Sequence, residues 1–121
     1  MRIAVLAATV VLAASAHAAS TDDYRSHSTA ELVRICSTPA SEPDHDIAVA
    51  FCHGILAGAY GFYVSSTPVS ERFVCPPEPS PTRSQVAQGF VAWAKKNPQY
   101  MNDGGIDTLF RYAAQTYPCK R

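Results

Sequence analysis

Four cysteines, Cys36, Cys52, Cys75 and Cys119, constrain this chain more than any other feature of its sequence. They follow a start that reads as an export signal: Met1-Arg2, an apolar run over residues 3–14, then Ala16-His17-Ala18. A basic start, a short apolar run and small residues at the −3 and −1 positions describe a cleavable secretory peptide. The run is short of the ~20 residues that span a bilayer. Residues 1–18 are therefore read as a signal peptide and not an anchor, with the mature chain starting at Ala19 in the periplasm. An even number of cysteines in a small exported domain points to two disulfides, with three pairings open. The spacings of 16, 23 and 44 residues lack the closely spaced cysteine pairs of zinc sites, so no metal is expected.

About 103 residues remain after processing, enough for one domain with one core. Removing Arg2 leaves nine basic and ten acidic side chains. With no basic patch, nothing points to nucleic acid.

The longest apolar stretch of the mature chain is residues 44–64, DHDIAVAFCHGILAGAYGFYV. Ile47, Phe51, Ile55 and Ala59 recur every four residues, with Ala48, Cys52 and Phe62 beside them, which is a helical stripe. Gly54, Gly58 and Gly61 share the stretch, and each glycine costs a helix roughly 1 kcal/mol against alanine. Gly54 and Gly58 are read as close-packing positions where another helix approaches the backbone. In a membrane the same spacing would suggest a dimerisation face. Serines, His53 and Pro68 interrupt the run between Asp46 and Arg72, so it is read as a buried helix with no stable membrane insertion.

Residues 19–27 are polar and read as a flexible lead, with the folded domain at 28–121. Ser28-Thr29-Ala30-Glu31 and Thr82-Arg83-Ser84-Gln85 both match the capping box that starts a helix. The first helix places Leu32, Ile35 and Cys36 on one face and stops before Pro39. Asp44 and Asp46 suit the positive end of the second. Five prolines at 66–81 exclude a long helix there, and Cys75 pins that connection. Val86, Phe90, Trp93 and Ala94 mark a third helix ending at Asn97-Pro98. A fourth starts near Asn102-Asp103, with Ile106, Leu109, Phe110, Ala113 and Tyr117 facing inward. No segment alternates long enough for a strand. The fold is an all-α, four-helix up-and-down domain stapled by two disulfides. In such a bundle Cys36 and Cys52 share one end and Cys75 and Cys119 the other, so sequential pairing is the first choice.

Chemistry is sparsely represented. Cys52-His53 invites a nucleophile and base, but helix neighbours point about 100° apart and an exported thiol among four tends to be oxidised. His45 between Asp44 and Asp46 suits capping and a solvated loop better than a metal. No catalytic residue and no cofactor are expected. Tyr60, Tyr63, Phe73 and Tyr100 do not all fit a core, and tyrosine favours interface hot spots. Arg72 and Phe73, in the long connection, are the candidate partner-binding residues.

The order of these elements resembles the Rap/Tai immunity-protein family of type VI secretion. The resemblance rests on Cys52-His53-Gly54 with Gly58, Cys75-Pro76, Trp93 through Asn97-Pro98, and the closing Tyr117-Pro118-Cys119. Ile55 stands where the family commonly has tyrosine. The resemblance implies a periplasmic protein, not an enzyme, that binds and obstructs a cell-wall-degrading amidase effector, often as a homodimer. The alternative is a periplasmic binding or chaperone-like protein, since the plan also looks like the HdeA-type acid-stress chaperones.

Overall fold

Helices begin and end here where side chains complete the backbone's hydrogen bonds. In the computed structural model, which describes residues 24–120, α1 spans Thr29–Cys36, α2 His45–Ser66, α3 Arg83–Lys96 and α4 Gly105–Thr116. Residues 1–18, read as a signal peptide, and the start of the lead lie outside the described residues. Both capping boxes form. Ser28 Oγ accepts from the Glu31 N–H (3.2 Å) while the Glu31 carboxylate accepts from the Ser28 N–H (3.0 Å). Thr82 and Gln85 repeat the exchange at 3.1 and 2.8 Å. Each such cap is worth about 1 kcal/mol. The backbone bond also holds the Glu31 carboxyl below its ordinary range.

The start of α2 is built differently. Asp44 makes no side-chain cap; its carboxylate accepts from the Tyr24 hydroxyl instead (3.2 Å). Tyr24 also packs edge-on against Phe51, and the His27 carbonyl accepts from the Gly105 N–H (2.9 Å). Residues 24–27 are thus tied to the body of the domain.

The shortest of the four helices occupies the centre: α1 packs against α2, α3 and α4. Its Leu32 and Ile35 are wholly buried, as are Phe90 and Ala94 of α3. Val33, Ala48, Cys52, Leu56, Ala87, Leu109 and Tyr112 complete the core. Disulfides join Cys36 to Cys52 and Cys75 to Cys119. The first staples the end of α1 to α2; the second ties the proline-rich connection to the chain end. Among the described residues there is no strand, only isolated bridges at Ser28–Gly104 and Val74–Pro118.

Three expectations are corrected. On α2 the buried positions are Ala48, Cys52, Leu56 and Tyr63, whereas Ile47 (60%), Phe51 (41%) and Phe62 (74%) are exposed. Apolar residues surround most of this helix, so its period does not single out the inner face. The disulfide at Cys52 and the hydrogen-bonding hydroxyl of Tyr63 do. Among the described residues, no helix approaches Gly54 or Gly58: a Cβ at either, or at Gly61, would meet nothing within 4 Å. The close approaches lie elsewhere. A Cβ at Gly89 would collide with the Tyr112 hydroxyl, and one at Gly105 would come within 2.9 Å of the Ser26 carbonyl oxygen. Finally, a 3-10 turn at Pro98–Tyr100 delays α4 to Gly105. Ile106 faces outward and Tyr112 inward, the latter resting over Gly89.

Candidate protein-binding surface

The surface centres on Tyr63, a buried side chain of α2 that stands seven residues beyond Leu56 on the inner face. Its hydroxyl accepts from the backbone N–H groups of Phe73 (2.7 Å) and Val74 (3.0 Å). That pair of bonds presses the connection onto the bundle and positions Phe73, which stays half exposed (50%). Phe73 stands edge-on to Tyr63 and faces Phe110, at centroid distances of 5.1 and 6.2 Å. Tyr63 also touches Tyr60 and Phe110. A semi-exposed aromatic ridge results.

The two candidate contact residues separate in role. Phe73 offers an apolar side chain to solvent. The Arg72 guanidinium turns inward and donates to the carbonyls of Val64 (2.7 Å) and Thr67 (3.2 Å). It completes the end of α2, which has no basic residue in its last turn. Arg72 acts as a clasp, holding in place the segment that carries Phe73.

On one side of the ridge lies a cleft of about 430 Å³, bounded by α2, the connection and α4. On the other, Asp103, Asp107 and Arg111 surround a shallower recess that Phe73 and Phe110 also line. Arg111 is steadied over the Tyr100 ring (5.1 Å), itself stacked on Trp93. The connection is stiffened by prolines, whose φ is fixed, and anchored by the Cys75–Cys119 bond and a Cys75 N–H to Tyr117 carbonyl bond (2.8 Å). A surface fixed before docking loses less entropy when it binds.

The thiols are all consumed in disulfides, so Cys52 cannot act as a nucleophile beside His53. His45 Nδ1, on the first residue of α2, lies 2.9 Å from the Thr38 carbonyl and donates to it. Among the described residues no three His, Cys, Asp or Glu side chains converge on one point. Tyr112, whose pKa burial raises, packs edge-on against the Tyr117 ring inside the fold. The sequence reading missed the cleft and the hub role of Tyr63. Tyr63 was legible in principle, because it stands in register with Cys52 and Leu56.

Fold and surface together define a small disulfide-stapled helical module suited to gripping another protein. The family model of the Rap1a immunity proteins matches residues 28–119, and the chain belongs to that family, a family of type VI secretion immunity proteins. Comparisons with curated proteins and with solved structures give no match.

Proposed function

We propose that this chain is a periplasmic immunity protein that binds a cell-wall-degrading amidase effector of type VI secretion and obstructs its active site. The observation that carries the reading is the family match over residues 28–119, the whole stapled domain. Two disulfides suit an oxidising compartment, in keeping with the export signal read in residues 1–18. The Phe73 ridge supplies the rigid aromatic anchor that dominates many interfaces. Co-purification and inhibition assays with amidases encoded beside this chain test it. A tight complex that abolishes cell-wall hydrolysis is expected, weakened at least tenfold by Phe73→Ala, a loss of about 1.4 kcal/mol. Failure of every such amidase to bind would refute the reading.

The outer face of α2 favours a homodimer in addition. Ile47, Phe51 and Phe62 are exposed there around Gly54 and Gly58, where an added Cβ meets nothing within 4 Å among the described residues. No charged residue occurs between Asp46 and Glu71, so two copies of this face would meet without like-charge repulsion. In an antiparallel pair Phe51 of one copy would meet Phe62 of the other, with glycines between. The face from Ile47 to Phe62 is about 23 Å long and 10 Å wide, smaller than a standard interface of ~800 Å² per partner. Association should therefore depend on concentration. Sedimentation over a wide concentration range should show a dimer that Gly58→Leu dissolves. A monomer throughout would dismiss it.

A further inference from the structure

The cleft beside the Phe73 ridge is unlike a packing fault. Its floor is Leu56, Val86, Leu109 and Ala113, and its outer wall runs from Val74 to Pro81. The wall is anchored at both ends, by the Tyr63 hydroxyl on the Val74 N–H and by the Thr82–Gln85 cap at the start of α3. On the α2 side Gly61 leaves the space clear, since a Cβ there meets nothing within 4 Å. The volume of about 430 Å³ falls within the range of sites that hold small ligands or anchoring side chains. Glu78 and Arg83 also line the cleft. The structure records no hydrogen bond or ion pair for either among the described residues. An apolar slot thus carries one unpaired negative and one unpaired positive group.

We propose that this cleft takes an apolar anchor side chain, aromatic or branched, from a protein segment with a basic residue on one side and an acidic residue on the other. The anchor fills the space between Leu56 and Ala113. The basic group pairs with Glu78, and the acidic group pairs with Arg83, whose forked guanidinium suits a carboxylate. The inference rests on the protein-binding reading above and adds the chemistry of the segment that is gripped.

Capped tripeptides titrated into isotope-labelled mature protein, followed by NMR, test it: Lys-Trp-Glu, Glu-Trp-Lys, Lys-Ala-Glu and Ser-Trp-Ser. One of the two charged tryptophan peptides should shift the amides around Leu56, Gly61 and Ala113. Ser-Trp-Ser should bind about threefold more weakly, as expected for two exposed ion pairs, and Lys-Ala-Glu should not bind. Glu78→Gln and Arg83→Gln should each reduce the advantage of the charged peptide, and the double variant should erase it. Gly61→Leu, whose Cβ meets nothing within 4 Å, puts a branched side chain at the cleft lining and should abolish binding while the circular dichroism spectrum and melting temperature hold. No shifts in the millimolar range, shifts centred on the outer face of α2, equal affinity of charged and uncharged tryptophan peptides, or full binding by Gly61→Leu would each overturn the proposal. The titration uses this chain alone. Its failure leaves the effector reading standing, and the absence of an amidase partner leaves the titration unaffected.

Discussion

Tyr63 combines two demands in one side chain: its ring is core, while its hydroxyl satisfies two backbone N–H groups of the connection. Tyr63→Phe keeps the ring and strands both donors. A loss of about 2–4 kcal/mol is expected from the price of unsatisfied buried groups, read by urea melts, with amide exchange accelerated at Phe73 and Val74. Thr108 presents the opposite case. Its hydroxyl is wholly buried with no partner among the described residues, so Thr108→Val removes an orphan of nearly the same shape. Thermal melts should show a gain of about 1 kcal/mol. Tyr112 gives an alkaline signature. Burial raises its pKa above the usual tyrosine range, so the folded protein keeps the proton where the unfolded chain releases it. Stability is full below pH ~10 and declines as pH rises beyond that. Ultraviolet titration should find one tyrosine that ionises only on unfolding, and Tyr112→Phe should remove the alkaline decline attributable to it.

At the level of elements, the ends of helices were more legible than their faces. Ser28–Glu31 and Thr82–Gln85 located the starts of α1 and α3 because capping is a local bargain among four residues. The inner face of α2 was hidden because apolar side chains leave no polar flank to orient it. Which face turned inward was decided by partners distant in sequence: Cys36, and the N–H groups that Tyr63 accepts. Glycine shows the same limit. A glycine in sequence signals a missing side chain without saying whether anything fills the space. Here Gly105 is crowded by backbone oxygens and Gly54 and Gly58 are open. Gly105→Ala should cost at least about 1–3 kcal/mol by overpacking. In dilute monomer, Gly54→Ala and Gly58→Ala should each add up to about 1 kcal/mol through helix propensity. Parallel chemical melts of the three variants check the contrast.

The whole molecule has a small core and relies on its cross-links. In the chain-entropy view the 16-residue and 44-residue loops are worth about 3 and 4 kcal/mol. Their sequential pairing was legible from helix order alone. The long-range arrangement that makes a surface of them was not: Cys75 carries the connection and Cys119 the chain end, so their union fixes a wall of the cleft. Cys75→Ser with Cys119→Ser should lower stability by about 4 kcal/mol in urea melts, and should blunt Phe73-dependent binding even where the helices persist.

That second cross-link has a bearing on where the protein is competent. Under reducing conditions that bond opens, and the proline segment is held to the bundle by the Tyr63 hydroxyl, the Arg72 guanidinium and the Cys75 N–H to Tyr117 carbonyl bond. On the proposed reading of an exported immunity protein, oxidation outside the cytosol is then the step that completes the wall beside Phe73 and sets its grip.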